Sequence, residues 1–469
     1  MPNRKKSQSK TSSQRKKNPG LPASLECVNL NAAGIDIGSS EHWVAVGDER
    51  DEQPVRKFEA FTADLYRLAD WLKECGIETV VMESTGVYWI PLFQILETRG
   101  FEVKLVNAKH VKNVSGRKSD ILDCQWLQQL HTFGLLSGSF RPENDICVLR
   151  SYLRHRDNLI RQCSSAIQHM QKALTQMNVL LHKVISNIVG LTGMRIIRAI
   201  LEGERDSTKL AQMKHPGIKS SANQIAKSLQ GDYREEHLFV LKQSLELYDF
   251  YHKQLDELDL KIAAHMERIE PKVDLQQKPM PAPKQARKKP RGNAAKVDWR
   301  SAIYKTAGVD LTQIPGIDTL TTQVLISEIG VDMSLWKSEK QFASWLGLCP
   351  NNRISGGKIL SSRTRKSVNR AAQALRMAAS TLSKSKTAFG AFFRRKRAQH
   401  GSAKAITATA HKLAKIVYQM LKTGKEFVEL GEQYYEQKYQ QRVIKNLQKR
   451  AKSLGYTVVP IQQLTATVS

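Results

Sequence analysis

Residues 34–40 have the sequence Gly-Ile-Asp-Ile-Gly-Ser-Ser, and they end an apolar run over residues 33–38 that predicts a buried β-strand carrying Asp36. A second apolar run, residues 77–83, also predicts a strand, and Glu83 closes it in the sequence Met-Glu-Ser-Thr-Gly. Taken singly, each acid has an ordinary explanation. Asp followed by Gly also begins the phosphate loop of actin-like ATPases, although no second such loop is recognisable further along, and a terminal Glu also fits a solvated strand cap.

A second pair of acids follows in Lys-Ser-Asp-Ile-Leu-Asp-Cys-Gln-Trp-Leu, residues 118–127. Asp120 and Asp123 are three residues apart in a segment of helical character, so both carboxylates share one helix face. Acids are also common in the first turn of a helix for electrostatic reasons. The set of four is more specific, because carboxylates from two strand ends and one helix are the ligands that a hard divalent cation requires.

The overall charge points to a polyanionic partner. The chain has 469 residues and a formal net charge of +29, from 73 Lys and Arg against 44 Asp and Glu, and its pI is about 9.8. Such a balance favours nucleic acid, and a two-ion site inside a basic protein suits work on phosphodiesters.

Other classes of protein are disfavoured by composition. No run of about 18 or more apolar residues predicts a membrane span, and no secretory signal pattern is recognisable. The six cysteines are scattered without a Cys-x-x-Cys pair, which argues against zinc fingers and a disulfide framework. We therefore expect a protein of the reducing cytoplasm.

The order of elements after residue 31 predicts an α/β domain. Three strands, 33–38, 43–48 and about 55–60, precede a helix over 62–75, a strand over 77–83, a helix over about 87–99 and a strand over 101–107. This order matches an RNase H-like domain, in which the ends of the first and fourth strands are neighbours. Asp36 and Glu83 are then expected to converge.

The rest of the chain is predicted to be mostly helical. One apolar seam with heptad spacing runs from Ile160 to Ile188 and a second from Leu241 to Ile269, and the two are expected to pair within one chain or between chains. The predicted domains are a basic disordered arm (1–30), an RNase H-like domain (31–148), a helical coiled-coil region (149–270), a flexible Pro/Lys-rich linker (271–296), a helical C-terminal domain (297–431) and a polar tail (432–469).

Two motifs follow the linker. Residues 313–318, Gln-Ile-Pro-Gly-Ile-Asp, precede an apolar helix and are similar to a helix-hairpin-helix turn that holds a DNA phosphate, although Asp318 stands where a second Gly is usual. Residues 353–358, Arg-Ile-Ser-Gly-Gly-Lys, place Ser355 in a glycine-rich turn. Four basic residues around it are candidate nucleic-acid contacts: Arg353, Lys358, Arg363 and Arg365. A serine needs an activating base or cation to be a nucleophile, and no His partner is evident.

Together these motifs resemble the DEDD-type insertion-sequence transposases, the bridge-RNA-guided recombinases of the insertion-sequence 110 type. The matching pieces are GIDIG, MESTG, RKSDILD, IPGI before ISEIG, ASWLGLCP and ISGGK, spread over residues 31–431, and residues 197–206 resemble the 1111 subgroup. The departures are Asp318, the Pro/Lys insert and the basic arm.

The resemblance implies a RuvC-like domain whose acidic tetrad is Asp36, Glu83, Asp120 and Asp123 and binds Mg²⁺, which Mn²⁺ can replace. It implies that Ser355 forms a covalent phosphoserine with DNA. The implied partners are donor DNA, target DNA and a structured noncoding guide RNA. The implied assembly is a dimer that pairs to a tetramer, with the two domains meeting across protomers.

Two alternatives from other classes stay open at this point. A RuvC-like Holliday junction resolvase or structure-specific endonuclease shares the tetrad but needs neither the serine domain nor the long helices. A non-enzymatic RNA-binding or chromatin protein explains the charge but not the four placed carboxylates.

Overall fold

The computed structural model describes residues 26–107, 120–283, 295, 297–365 and 369–459. Most of the predicted basic arm therefore lies outside the described residues. The chain divides into two compact units, Met1–Arg141 and Pro142–Ser469. Among the described helices, none has the length and apolar character needed to cross a bilayer.

The N-terminal unit is built on one mixed five-stranded sheet. The strands are β1 (Ala32–Ile37), β2 (Glu41–Ala45), β3 (Val55–Glu59), β4 (Thr79–Glu83) and β5 (Glu102–Val106), in the spatial order β3-β2-β1-β4-β5. The first three strands pair antiparallel, and β4 joins β1 and β5 in parallel. Each strand overlaps one predicted from the sequence, although β2 begins and ends earlier than the predicted 43–48, and the arrangement is compatible with an RNase H-like domain.

Helices cover both faces of this sheet. They are α1 (Thr62–Glu74), α2 (Trp89–Thr98) and α3 (Asp120–Thr132). Alternate residues of β1 and β4, including Ile35 and Met82, join the main apolar core with α1 and α2. Val81 and Val106 point to the other face and pack against Leu127 of α3. The alternation along each strand therefore decides which side chains face α3.

A buried histidine attaches the C-terminal half of α3 to the sheet. Nε2 of His131 lies 2.9 Å from the Thr79 hydroxyl, which itself donates to the Glu102 carbonyl over 3.1 Å. Burial, together with the charge of Lys104, lowers the pKa of His131 to about 4. His131 is therefore neutral at physiological pH and acts as part of the packing.

The C-terminal unit begins with a long helical region. Its helices are α4 (Asn144–Gln176), α5 (Leu181–Val184), α6 (Leu191–Leu201), α7 (Ser207–Gln212), α8 (Ala222–Ser228) and α9 (Glu235–Met266). The two long helices, α4 and α9, pack against one another within the chain and run antiparallel, because His265 hydrogen-bonds the Asp145 carbonyl while Leu174 packs near Leu241.

A buried ion pair fixes the register of α4 against α9. Nε of Arg156 donates to Asp259 over 2.6 Å, its second nitrogen donates over 3.0 Å, and both side chains are buried. Two parallel charge-assisted hydrogen bonds allow one relative position of the two helices. Removing one partner of a buried pair leaves an uncompensated charge, which typically costs about 3–5 kcal/mol.

The prediction of one continuous helical seam to Ile188 was wrong. Helix α4 ends at Gln176, and Asn178 has a φ of 55°, in the left-handed region that an α-helix does not use. Leu181 and Ile188 therefore leave the seam and enter an apolar cluster with α6 and α8. The second predicted seam is a helix only as far as Met266, short of Ile269.

The first part of the predicted flexible linker is held by hydrogen bonds. The backbone N–H of Lys272 donates to the Lys305 carbonyl over 2.8 Å, and Lys278 Nζ donates to the Gly308 carbonyl over 2.7 Å. Arg300 donates to the Pro281 carbonyl over 2.6 Å. Residues 284–294 and 296 lie outside the described part. Composition predicted flexibility here, but hydrogen bonds with residues 300–308 hold Lys272, Lys278 and Pro281.

The rest of the C-terminal unit is helical with one small hairpin. Its helices are α10 (Trp299–Ala307), α11 (Thr319–Ile329), α12 (Glu339–Trp345), α13 (Arg370–Thr381), α14 (Ala388–His400), α15 (Ser402–Thr423) and α16 (Gly431–Ser453), and the hairpin consists of β6 (Arg353–Ser355) and β7 (Lys358–Ser361). The hydroxyl of Tyr418, on α15, is buried and donates to the Trp336 carbonyl over 2.7 Å.

Candidate active site

Two acids end neighbouring parallel strands. Ile35 of β1 pairs with Met82 of β4, so Asp36 and Glu83 occupy the next position along the two strands. Since Ile35 and Met82 face the α1/α2 core, the two acids point to the opposite face, where α3 lies. Both are half-buried. The convergence predicted from the strand order is present in the structure.

A glycine allows α3 to approach β1 closely. A Cβ at Gly34 would lie 2.5 Å from the Cys124 carbonyl oxygen and closer still to the Gln128 backbone nitrogen. Gly34 is on the same face of β1 as Asp36, two residues before it. The backbone of α3 therefore rests on β1, which brings the start of the helix, with Asp120 and Asp123, towards Asp36.

The shifted pKa of Asp36 is a consequence of this arrangement. Burial, together with the charges of Asp123, Asp120 and Glu83 in that order, raises its pKa to about 6. The nearby Cys124 thiol is buried as well, and burial followed by the Asp36 charge raises its pKa to about 12. The cysteine is therefore a neutral packing residue, whereas the four acids form one concentration of negative charge.

The donor set suits a hard cation. Carboxylate oxygens are the ligands that Mg²⁺ and Ca²⁺ take in proteins, and a divalent ion would relieve the repulsion that raises the pKa of Asp36. Within the described residues, no three His, Cys, Asp or Glu side chains are grouped closely enough to hold an ion. The charges of the other three acids nevertheless act on Asp36, so the four carboxylates lie in one region of the N-terminal unit.

The candidate serine lies at the tip of the β6–β7 hairpin. Ser355 pairs with Lys358 across a two-residue turn made of Gly356 and Gly357, which have φ angles of 54° and 73°. Two consecutive left-handed residues define the type I′ hairpin turn, in which glycine is the least strained residue. The Ser355 side chain is exposed. The turn therefore presents the hydroxyl outward from the domain.

The hairpin also exposes apolar and basic side chains. Ile354 and Ile359 are each 61% exposed and Leu360 is 70% exposed. The predicted nucleic-acid contacts Arg353, Lys358, Arg363 and Arg365 are all exposed, but the guanidinium of Arg365 also donates to the Ser344 carbonyl over 2.6 Å. Arg365 therefore ties the base of the hairpin region to α12.

Comparison with protein families gives two matches. A family model described as Transposase, of the DEDD IS110 type, matches residues 33–179, and one described as Transposase IS116/IS110/IS902 family matches residues 310–394. The first match contains the four acids and the second contains the hairpin serine. The chain is a DNA transposase/recombinase. A search of curated proteins gave no match to the chain.

The helix-hairpin-helix-like turn of the transposase has a structural explanation for its departure from the usual pattern. The Asp318 carboxylate accepts a hydrogen bond from the Thr321 backbone N–H over 2.9 Å and caps α11. Gly316 has a φ of 85°, and a Cβ there would lie 2.7 Å from the Ala378 carbonyl oxygen. The turn packs against α13. Because the Asp318 carboxylate already accepts from the Thr321 backbone N–H at the start of α11, its negative charge would repel a DNA phosphate there.

Sequence reasoning missed the role of Gly34 in this transposase. The GIDIG motif was assigned a function only for Asp36, although Gly34 lies two residues earlier on the same face of the strand. A glycine inside a strand is a known signal of close backbone approach. That signal was present, but the approaching element could not be identified without the structure.

We predict that Gly34→Ala lowers both the stability of the N-terminal unit and DNA strand cleavage, because α3 must move away from β1. Overpacking of this kind typically costs about 1–3 kcal/mol. Thermal and urea unfolding of the purified transposase would measure the loss. Gly138→Ala is the matched control, since a Cβ at Gly138 meets no atom within 4 Å. Equal stability of the two variants would contradict the proposed contact.

Proposed function

We propose that this insertion-sequence transposase excises its element and integrates it at a site chosen by a guide RNA, through a covalent serine–DNA intermediate. The observation that carries the proposal is the grouping of the four carboxylates around Asp36 in a chain of net charge +29. Like charges gathered around one half-buried acid cost stability, which is expected where the acids have a functional role. The family matches support transposition as that role.

The tetrad of a RuvC-like domain would hold the metal. Asp36, Glu83, Asp120 and Asp123 supply oxygen ligands from two strand ends and one helix, and Mg²⁺, or Mn²⁺ in its place, is the ion that such ligands suit. When bound, a divalent pair activates the attacking oxygen and stabilises the leaving oxygen of a phosphodiester. The protein's own contribution is the rigid placement of the acids, through the β1–β4 register and the contact of Gly34 with α3.

Ser355 is the proposed nucleophile. Its hydroxyl loses its proton as a bond forms between Oγ and the scissile phosphorus. The bond from phosphorus to one deoxyribose oxygen breaks, and that oxygen gains a proton as the free DNA end. The reverse reaction with the hydroxyl of another strand restores the serine and completes strand transfer. The Gly356–Gly357 turn exposes the hydroxyl, and Arg353 and Lys358 supply positive charge on either side for the phosphate.

The proposed partners are donor DNA, target DNA and a structured noncoding RNA. Phosphate contacts from a strongly basic chain give affinity without sequence choice. The target sequence then has to be selected by base pairing with the RNA, as in other systems where the protein recognises shape and an RNA reads sequence. The proposed assembly is a dimer that pairs to a tetramer on the two DNA partners.

Replacing any tetrad acid by its amide is predicted to abolish strand cleavage while the fold is retained. Asp36→Asn, Glu83→Gln, Asp120→Asn and Asp123→Asn should each lower the rate by more than about 100-fold, since loss of an outer-shell partner alone costs about 10–100-fold. Cleavage of labelled donor DNA with Mg²⁺, Mn²⁺ or EDTA is the measurement. Glu52→Gln, at an exposed position of the same unit, is the control. Full activity in two tetrad variants would sink the metal assignment.

Ser355→Ala is predicted to remove a covalent protein–DNA adduct, because the hydroxyl that forms the bond is absent. Denaturing gels of the transposase with end-labelled DNA would show the adduct as a shifted band in the parent protein only. Ser402→Ala is the control, an exposed serine of the same unit outside the hairpin. If the adduct persists in Ser355→Ala, the nucleophile lies elsewhere, with Ser361 or Ser362 the next candidates.

The guide RNA is predicted to copurify with the protein. Transposase purified from cells that carry its complete element should contain one discrete noncoding RNA, and changing a loop of that RNA should redirect integration without any change in the protein. Sequencing of bound RNA and of insertion sites measures both. Selection of the normal target by RNase-treated transposase would overturn RNA guidance and favour direct reading of DNA by the protein.

A further inference from the structure

The last helix, α16, lies outside both family matches and is attached in an unusual way. None of its residues is buried. Its first half is held to α14 by ion pairs of Arg394 with Glu432 and of Arg395 with Glu436. The guanidinium of Arg395 also lies 3.3 Å from the ring centroid of Tyr439. Cations and aromatic rings, rather than an apolar core, connect this helix to the rest of the unit.

The second half of α16 carries a stripe of positive charge. Five basic residues follow steps of four and three, which keep them on one helix face: Lys438, Arg442, Lys445, Lys449 and Lys452. From residue 437 to residue 469 the chain contains no Asp or Glu. At about 1.5 Å per residue, the stripe is about 21 Å long. Intrahelical ion pairs therefore do not offset its charge.

The stripe continues into a cation cluster on the neighbouring helices. Lys412 of α15 lies 3.9 Å from the Phe392 ring centroid, and burial followed by the charges of Arg442, Lys415 and Lys396 lowers its pKa. The structure thus holds several cations of α14, α15 and α16 close enough to repel one another. A polyanion laid along this surface would offset that repulsion.

The shape of α16 favours duplex DNA as that polyanion. From residue 444 to residue 459, every residue except Ala451 is exposed, so this half of the helix stands clear of the domain. A single helix is about 10–12 Å across, which suits the major groove of B-form DNA at about 12 Å. The major groove of A-form RNA is too narrow and deep for such an element.

An apolar stripe on the opposite face raises the alternative of a membrane surface. Ile444 and Leu447 are 51% and 52% exposed, and basic amphipathic helices also bind anionic lipid. The charge argues for DNA, because the cations extend from α16 onto Lys396 of α14 and Lys412 of α15 and are not confined to one amphipathic helix.

We propose that the basic stripe of α16, with the adjoining cations of α14 and α15, binds the phosphate backbone of duplex DNA without sequence preference. This deepens the proposed function, on which it rests for the identity of the DNA: the surface holds the donor or target duplex while the tetrad and Ser355 perform the chemistry. It adds a DNA-binding element beyond the part of the chain that the family matches cover.

The test is the salt dependence of binding to a fluorescent 30-bp duplex of unrelated sequence, followed by anisotropy. Full-length transposase is first stripped of RNA, and EDTA is present throughout, so that the result does not depend on cleavage. The stripe variant combines Lys438→Gln, Lys445→Gln, Lys449→Gln and Lys452→Gln, and glutamine keeps the helix propensity. Each lost phosphate contact reduces the slope of log K against log salt by about 0.9, so a reduction of about 3–4 is expected.

Two controls separate this surface from general charge and from folding. Lys219→Gln, Lys227→Gln, Lys242→Gln and Lys253→Gln together remove the same charge from exposed positions elsewhere, and the slope should change by less than about 1. Replacing the four stripe lysines by arginine should preserve the slope. Circular dichroism of each variant checks that the helix content is retained.

Three outcomes would overturn the proposal. The first is an unchanged slope in the stripe variant, and the second is an equal reduction in both glutamine variants. The third is a stripe variant that keeps its DNA slope but loses binding to an RNA duplex or to anionic phospholipid vesicles. Because the assay contains no cleavage step, loss of the tetrad or Ser355 assignments would leave this result standing, and the reverse also holds.

Discussion

The close contact between the backbone of α3 and β1 at Gly34 is the constraint on which the acidic site depends. The strand register alone brings together Asp36 and Glu83, because parallel pairing places them side by side. The other two acids arrive only because a helix can lie directly on the sheet where a side chain is absent. His131 and Leu127 hold the same helix further along. The absence of a side chain at Gly34 therefore determines where Asp120 and Asp123 lie.

The two candidate chemical groups have opposite environments, and each environment suits its role. Asp36 is half-buried among like charges, where its pKa is strongly perturbed. Ser355 is exposed at the end of a narrow hairpin with exposed apolar side chains around it. Ligands for a metal ion gain from rigid burial, whereas a residue that becomes bonded to a long polymer has to be accessible to it.

The N-terminal fold could be predicted from sequence because its information is local. Alternating apolar residues fixed the strands, and the acids at strand ends fixed the edge of the sheet where Asp36 and Glu83 meet. The same reasoning failed at the end of α4. The apolar spacing continues to Ile188, but the left-handed backbone of Asn178 interrupts the helix. It also missed Arg156 and Asp259, whose pairing joins residues 103 positions apart. Composition could not show that residues 300–308 hold residues 271–283, since each of these hydrogen bonds is accepted by a backbone carbonyl, which any sequence offers.

The way α16 is attached has an energetic consequence for the whole C-terminal unit. A helix that buries no side chain adds little to the cooperative core, so its opening costs far less free energy than global unfolding. Its amides should therefore exchange with solvent long before those of α15, which is anchored by the buried Tyr418 and its hydrogen bond to Trp336. Opening of α16 alone would leave the buried core of the C-terminal unit intact, so this helix could rearrange on a ligand without unfolding the rest of the unit.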